Sequence, residues 1–346
     1  HASLVWIGGL HIPLRTFWSL LRCTGFLTIY TEIPLNKKKA PGVLTYGNIL
    51  SVITDPDDAL TVSNNCLEKH FSNKFISSWL GNGLITSSAD IWKRHRKLLN
   101  PGFNLPAVNG FLNVFNNQSR RLVTNLDRHD GKGPFDMSAL IKNMTLRISC
   151  SKTAENDEKD EEFTTTYIKT TYDMFNLIMI RAQKFWLYND LLYRLLGYKK
   201  KENALVRVLN KIADEYFAVM ISVTTHRTLI DLLLELSIDG ALTDDEVRDE
   251  LNTTIVAAFE TTSQCLLVTM VLLGSYPEVQ KKVYEEIMEI IGKEREVEKE
   301  DLQKLMYTEA VLKESLRIFP IAPVLGRYSV PWGSRWRIGN RLFFRG

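Results

Sequence analysis

The stretch Ile255–Gln264 reads I-V-A-A-F-E-T-T-S-Q and places an acid, Glu260, beside a hydroxyl, Thr261, in a largely apolar segment. The surrounding sequence predicts one long helix, because Thr243 and Glu246 are spaced as a capping box and apolar residues then recur at helical intervals. About 30 residues at ~1.5 Å each give a rod of roughly 45 Å, which is long enough to cross a domain. The sequence therefore predicts one large helical body rather than two domains.

A carboxylate at the centre of such a helix costs free energy unless a partner or a ligand uses it. Glu260 and Thr261 are therefore candidate functional residues. The alternatives are a solvated polar stripe, or a kink at which threonine hydroxyls bond back to the preceding turn of the helix. The sequence of this helix alone leaves these interpretations open.

The composition is that of a globular protein able to bury a sizeable core: of 346 residues, 45% are hydrophobic and 24% are charged. With 43 basic and 40 acidic side chains the net charge is only +3, which gives no support for nucleic acid as a partner. The basic runs Lys37–Lys39 and Lys199–Lys201 are interpreted as solvated surface, with contact to an anionic membrane face as the alternative.

The four cysteines form no C-x-x-C pair, and the six histidines form no H-E-x-x-H pair. The sequence therefore predicts no zinc site and is typical of a protein in a reducing compartment. It shows neither a signal peptide with a cleavage site nor an uninterrupted apolar run of about 18 residues. A membrane anchor, if the natural protein has one, is expected upstream of His1.

The predicted fold class is mainly α with a small β portion (α+β). The best strand candidate is Asn48–Thr54, which Asp55-Pro56 ends. Gly81–Gly83 is predicted as a turn. It resembles part of a phosphate-binding glycine loop, but no G-x-G-x-x-G motif is completed, so no phosphate site is predicted there. Further helices are predicted at Pro56–Asn64, Cys66–Leu80, Ala89–Leu99, Leu105–Asp127, Asp136–Cys150, Glu161–Phe185, Asn203–Ile221, Thr228–Ser237, Glu278–Ile291 and Asp301–Phe319.

Two further pairs share a helix face. Trp92 and Arg96 are four residues apart, and an indole N–H beside a guanidinium suits a carboxylate ligand. The alternative is a cation–π pair on a surface helix. Glu314 and Arg317 are three residues apart, which by itself predicts an ordinary helical ion pair.

The order of these motifs is more informative than any one of them: W-x-x-x-R, then A-x-E-T-T in a long helix, then E-x-x-R followed by F-P-I-A-P and Arg327. In this order the chain resembles the cytochrome P450 superfamily, and within it the microsomal fourth family of insects. The supporting stretches are Trp79–Asn104, Tyr276–Ile287 and Leu312–Pro320. The resemblance divides the chain into a poorly matched segment 1–45, a partial cytochrome P450 domain 46–330 and a divergent tail 331–346.

The resemblance implies a haem between the long helix and a cysteine-bearing loop. It implies that Trp92 and Arg96 bind one haem propionate and that Arg327 contacts a propionate from the other side. Glu260 and Thr261 then match the acid–alcohol pair that relays protons beside the oxygen site. The remaining implied roles are lining of the haem pocket by Ala257 and Ala258 and bracing of the core by Glu314 and Arg317.

Three departures from the family pattern qualify this expectation. Ala258 replaces the usual glycine, so a methyl group is expected in the oxygen groove. Ala257 stands where many fatty-acid hydroxylases of the family carry the glutamate that links to haem, so no covalent link is expected. After Val330 the family's F-x-x-G-x-R-x-C-x-G loop, whose thiolate ligates iron, does not follow. No metal ligand is therefore assigned, and Cys265 is not expected to replace the thiolate, because it lies on the oxygen side.

The resemblance implies a haem-thiolate monooxygenase that hydroxylates a lipophilic substrate with O2 and electrons from an NADPH-dependent reductase. Its expected place is the cytosolic face of the endoplasmic reticulum membrane. The fold is expected to be incomplete at the C-terminus, where the tail is read as a frame or splice error or as a genuine divergent terminus. As written, the chain is expected to be inactive.

Two alternatives stay open for the function. One is a non-catalytic truncated remnant or isoform that cannot bind haem productively. The other is an isomerase or dehydratase of the same superfamily, which the intact Glu260–Thr261 pair disfavours.

Overall fold

The protein is mainly helical over the residues that the computed structural model describes, namely 4–7, 10–13, 42–45, 48–51, 53, 55–103, 111–149, 157–221, 229–323, 325–328, 335–338 and 341–344. The helices are α1 Pro56–Asn65, α2 Ser77–Leu80, α3 Ala89–Leu99, α4 Leu112–Asp127, α5 Ser138–Ser149, α6 Asp157–Gln183, α7 Asp190–Leu195, α8 Tyr198–Ile221, α9 Leu229–Ile238, α10 Asp244–Ser275, α11 Pro277–Ile290, α12 Lys299–Leu302 and α13 Met306–Ile318. Short 3-10 turns lie at Phe71–Phe75, Asn100–Phe103 and Phe185–Tyr188.

The described strands form two-stranded antiparallel hairpins. These pair β1 Leu4–Ile7 with β2 Leu10–Pro13, β3 Gly42–Thr45 with β4 Asn48–Ser51, and β5 Arg335–Ile338 with β6 Arg341–Phe344. The predicted strand Asn48–Thr54 is thus found as β4 with an earlier end, and residues 52 and 54 lie outside the described residues.

The long central helix α10 is confirmed, and its predicted capping box is present. Thr243 accepts a hydrogen bond from the Glu246 N–H at 3.3 Å, and the Glu246 carboxylate accepts one from the Thr243 N–H at 2.9 Å. The helix runs through Gly274 and ends at Ser275, two residues before Pro277. Proline at the first position of α11 begins the next helix, because its missing N–H costs nothing there.

Within the described part of the chain, α10 is also the one helix long and apolar enough to cross a membrane by length and composition. Packing accounts for the apolar side chains of its first half, up to Phe259. Two hydrophobic clusters form around it: Trp79, Leu80, Leu146, Tyr167, Met174, Leu209, Ile212, Ala213, Leu251, Ile255, Val256 and Phe259 in the first, and Leu99, Leu233, Leu242 and Val247 in the second. The first joins α10 to α2, α5, α6 and α8, and the second joins it to α3 and α9.

Most predicted helices are present with shifted ends, and α3 has the predicted bounds. The prediction of one helix over Cys66–Leu80 is wrong, because Lys69 pairs with Arg327 in an isolated β-bridge and holds that backbone extended. The prediction of one helix over Asp301–Phe319 is also wrong: α12 and α13 divide it.

Other ends differ by a few residues. Helix α6 begins at Asp157 rather than at Glu161, so acidic residues lie in its first turn, where the helix dipole favours negative charge. Helix α8 begins at Tyr198 rather than at Asn203. Residues 105–110 and Cys150, which two predictions included in helices, lie outside the described residues.

The turn at Gly81–Gly83 lies directly against α10. The Asn82 N–H donates to Asp249 Oδ2 at 2.7 Å. A Cβ on Gly83 would lie 2.1 Å from Thr253 Oγ1 and 2.8 Å from the Asp249 carbonyl oxygen. Glycine is required here because the backbone approaches the helix too closely for any side chain. This contact brings the segment before α3 onto the first half of α10.

Candidate functional site

Helix α3 crosses α10 at a buried pair of ionisable side chains. His95 Nδ1 lies 2.6 Å from Glu250 Oε1, and both side chains are fully buried. The second oxygen of Glu250 accepts a hydrogen bond from the Leu84 N–H at 3.2 Å. Burial raises the pKa of Glu250, although the His95 hydrogen bond opposes that shift. This carboxylate therefore joins α10 to α3 and to the loop before it.

A second acid closes the outer edge of the same junction. Glu246, one turn before Glu250, pairs with Arg94 and lies 3.3 Å from His95 Nε2. Arg94 also donates to the Ala241 carbonyl oxygen at 3.0 Å. Partial burial raises the pKa of Glu246, but the Thr243 N–H and the contacts with His95 and Arg94 outweigh it, so the pKa is lowered. Contacts on both sides of His95 thus set the orientation of α3 on α10.

Trp92 and Arg96 lie on α3 on either side of His95 in sequence, and both are half-buried. The Arg96 guanidinium lies over the Phe103 ring, 5.1 Å from its centroid. Among the described residues it meets no carboxylate. The cation–π contact of Arg96 is thus with Phe103 rather than with Trp92. A half-buried cation near the indole of Trp92 remains able to meet an anionic ligand.

Arg327 is brought toward the start of α3 by an extended segment at Glu68–His70. The backbone of Arg327 pairs with that of Lys69 in the isolated β-bridge, and the Tyr328 N–H donates to the Glu68 carbonyl oxygen at 2.9 Å. The Glu68 side chain in turn accepts from the Ala89 N–H, at the first turn of α3, at 3.3 Å. The exposed Arg327 and the Trp92–Arg96 pair are therefore held by one continuous set of contacts.

Lys69 adds a second cation at this position, which the sequence did not single out. Its Nζ donates to the Leu84 carbonyl oxygen at 2.6 Å. Burial, and then the nearby positive charge of Arg327, lower the pKa of Lys69 to about 8. Two cations held together by their backbones favour an anion between or beside them.

The predicted pocket-lining residues of α10 follow the α3 crossing along the same helix. Ala257 is seven residues after Glu250, which is about two turns or ~10 Å along one face. Ala257 and Ala258 are half-buried, and Thr261, one turn further, is exposed. These small side chains form a strip beginning about 10 Å from the junction that presents Arg96.

Glu260 and Thr261 have different partners. The Tyr172 hydroxyl of α6 is 2.6 and 2.9 Å from the two Glu260 oxygens, and Gln264 Nε2 donates to the same carboxylate at 3.2 Å. Burial, and then the Glu260 carboxylate, raise the pKa of Tyr172. The Thr261 hydroxyl donates to the Ala257 carbonyl oxygen at 2.7 Å. Glu260 thus has a tyrosine partner, and the Thr261 hydroxyl bonds to the preceding turn of its own helix. Their role as a proton relay remains a prediction.

Glu314 and Arg317 form the predicted ion pair, with Nε and a terminal nitrogen of Arg317 at 2.7 and 2.6 Å from the two carboxylate oxygens. Arg317 lowers the pKa of Glu314. Both side chains are about half exposed, at 54% and 53%, so the pair adds little stability by itself. Its bracing role remains a prediction.

No cluster of three or more potential metal ligands occurs among the described histidines, cysteines, aspartates and glutamates. Cys66 is buried, and Cys265 is half-buried on α10, one turn after Thr261. Cys23 and Cys150 lie outside the described residues.

Residues 49–330 match the family model described as "Cytochrome P450". The chain belongs to this family. It is 30% identical over 292 residues to cytochrome P450 4V2 of Mus musculus, an alignment covering 78% of this chain and 56% of that protein. It is 31% identical over 294 residues to cytochrome P450 4V2 of Homo sapiens, with the same coverage. For cytochrome P450 4c21 of Blattella germanica the identity is 29% over 333 residues, covering 86% and 66%.

The chain spans about half the length of the P450 4V2 relatives it matches. The mainly helical architecture agrees with the P450 fold. Family membership also implies haem as the cofactor. The donor set fits that group, because Arg96 is a half-buried guanidinium without a described counter-ion and Trp92 adds an N–H beside it, which suits a propionate carboxylate.

Sequence reasoning missed His95, Glu250, Lys69 and Tyr172. His95 lies inside the W-x-x-x-R motif, next to Arg96, and is the one local sequence signal for the contact between α3 and α10. The other partners are far away in sequence: Tyr172 and Glu260, for example, are 88 residues apart. No periodicity within a single helix predicts such a contact.

Proposed function

We propose that this protein is a haem-thiolate monooxygenase that hydroxylates a lipophilic substrate with O2 and electrons from an NADPH-dependent reductase. The observation that best supports the proposal is the α3–α10 junction. It presents the Arg96 guanidinium, which meets no carboxylate in the described part of the chain, beside Trp92 and about two turns from the Ala257–Thr261 strip. Haem bound there supplies the oxygen activation, and the protein residues bind and orient it and move protons.

The residues around the haem edge have distinct tasks in this proposal. Trp92 and Arg96 donate N–H groups to a propionate. Arg327, with Lys69 beside it, supplies positive charge for a propionate on the other side. Ala257 and Ala258 present methyl groups, which leave no carboxylate to form a covalent link and narrow the groove beside the oxygen site.

Proton delivery would pass through Glu260 and Thr261. The Thr261 hydroxyl donates to the Ala257 carbonyl oxygen, and rotation about one bond would free it to donate toward the groove. Glu260 is held half-buried by Tyr172 and Gln264, so a proton on its carboxylate has two hydrogen-bonded neighbours. An acid one residue before the alcohol can supply the proton that the alcohol gives up.

Because residues 1–346 alone are expected to be inactive, the test of this function uses the natural full-length protein, reconstituted with an NADPH-dependent reductase, phospholipid and a panel of fatty acids and terpenoids. The expected result is an NADPH-dependent alcohol product that contains one atom of oxygen from 18O2. A product labelled from water, or turnover independent of O2, would overturn the proposal in favour of isomerase or dehydratase chemistry.

A membrane surface is part of the proposal, because an exposed apolar segment lies beside exposed cations. Phe185 and Trp186 are 49% and 46% exposed, and Leu191 and Leu195 on α7 are 65% and 73% exposed. Lys200 and Lys201 follow at the start of α8 and are exposed. Aromatic and leucine side chains next to lysines suit the interface of an anionic bilayer, which agrees with a place on the cytosolic face of the endoplasmic reticulum.

This part is tested by sedimentation with vesicles of neutral lipid and of neutral lipid containing phosphatidylserine. Leu191→Asp with Leu195→Asp is expected to abolish binding to both kinds of vesicle. The control is Leu60→Asp, at a leucine on α1 that is 62% exposed. Equal binding of the double variant and the control would contradict this surface.

A further inference from the structure

Within the described residues, His95 and Glu250 form a fully buried ionisable pair that the proposed chemistry does not use. Both groups lie where α3 meets α10, and neither belongs to the acid–alcohol pair. A buried carboxylate and imidazole cost free energy unless their contacts satisfy them. Here Glu250 is satisfied by His95 and by the Leu84 N–H, so three chain segments depend on one side chain.

In the sequence of α3, His95 lies between the two residues proposed to bind a propionate. Trp92 is three residues before His95 and Arg96 is one residue after it, so a rotation or slide of α3 on α10 moves both donors together. The Glu246–Arg94 contact lies at the half-exposed edge of the junction, whereas the His95–Glu250 contact lies at its buried centre. The buried contact is the one that water cannot replace.

We propose that His95 and Glu250 are positioning residues that set the direction of Trp92 and Arg96 toward the haem edge. This inference rests on the proposed function insofar as the ligand is a haem propionate. It makes a specific demand on His95: the nitrogen that matters is Nδ1, which faces Glu250, rather than Nε2, which faces Glu246. Asparagine can place an N–H near the Nδ1 position and glutamine near the Nε2 position.

The experiment compares His95→Asn, His95→Gln and Glu250→Gln with the unchanged chain. The first readout needs no cofactor: 5-fluorotryptophan is incorporated, and the 19F resonance of Trp92 is assigned with Trp92→Phe. The Trp92 resonance is expected to shift in His95→Gln and Glu250→Gln and to stay in place in His95→Asn. Leu209→Ala, which removes a buried core side chain of α8, is the control for lost stability alone; it is expected to lower the Tm and leave the Trp92 resonance unchanged.

The second readout is binding of metal-free protoporphyrin IX, which needs no axial ligand, against its dimethyl ester, which lacks the carboxylates. His95→Gln and Glu250→Gln are expected to bind protoporphyrin about tenfold more weakly, the change for roughly one lost charge-assisted contact. His95→Asn is expected to stay within about twofold, and binding of the ester is expected to be equal in all variants.

Two results would overturn the positioning role: an unmoved Trp92 resonance in folded Glu250→Gln, or equal effects of His95→Asn and His95→Gln. If the unchanged chain binds acid and ester equally, the propionate site of the proposed function is wrong. In that case the 19F resonances still decide whether His95 and Glu250 position Trp92.

Discussion

The contact between Tyr172 and Glu260 gives a quantitative prediction about the central acid of α10. The hydroxyl lies 2.6 and 2.9 Å from the two carboxylate oxygens, and both side chains are half-buried. A hydrogen bond to a charged group stabilises a fold by about 1.5–3 kcal/mol. Because water reaches this pair, we expect the lower end, so Tyr172→Phe should lower the free energy of unfolding by about 1.5 kcal/mol.

The double-mutant cycle with Glu260→Gln isolates the charge-assisted part. Glutamine keeps one oxygen acceptor but removes the charge, so the expected coupling energy is about 1 kcal/mol. Urea denaturation of the four proteins measures it, with Tyr284→Phe, at a tyrosine that is 56% exposed, as the control. Ultraviolet titration of the tyrosines gives a second check: Glu260→Gln should lower the raised pKa of Tyr172. A coupling below about 0.3 kcal/mol, within ordinary additivity, would refute the argument that Tyr172 holds the acid.

Three further predictions concern the glycine turn, the relay hydroxyl and the buried lysine. Gly83→Ala should destabilise the protein by about 2–3 kcal/mol, because its Cβ would lie 2.1 Å from Thr253 Oγ1; thermal denaturation checks it against Gly274→Ala, a helical position where nothing lies within 4 Å of the added Cβ. In the full-length protein, Thr261→Ala should lower the product formed per NADPH by roughly tenfold while NADPH consumption continues, and Thr261→Ser should restore it; unchanged coupling would argue against the relay. The pKa of Lys69 falls from 10.5 to about 8 on folding, so between these values the unfolded chain binds more protons and stability rises with pH. The effect of Lys69→Gln on the free energy of unfolding should therefore depend on pH. Measured against the unchanged chain, the variant should gain about 1 kcal/mol more stability at pH 7 than at pH 10, a value reduced for solvent screening. Urea denaturation of both proteins at the two pH values measures the difference.

The helices could be predicted because their signals lie within the segments themselves. The capping box at Thr243 and Glu246 starts α10 as expected, and the apolar period carries it across the core. Helix α3 also has its predicted bounds, although Ser88 at its N-cap makes no side-chain cap hydrogen bond. The capping box and the apolar period are local in sequence, so no tertiary contact was needed to predict the long helix.

The failed prediction of one helix over Cys66–Leu80 has its physical cause in a contact between distant segments. Lys69 is extended because its backbone pairs with Arg327, although the local sequence favours a helix there. Tertiary pairing overrides local propensity at this position. The predicted turn at Gly81–Gly83 is confirmed, but the close approach of Gly83 to Thr253 appears only in the fold.

The same distinction separates the residues proposed to touch haem from those that hold them in place. Trp92 and Arg96 are visible in the sequence because four residues on a helix make one face. His95 and Glu250 are 155 residues apart and meet only through the packing of α3 on α10. A site whose donors are specified locally and whose orientation is specified at a distance should lose affinity when the distant contact is broken, even with every donor intact. Cofactor affinity in this protein is therefore expected to depend on a buried acid of α10 that need not touch the cofactor.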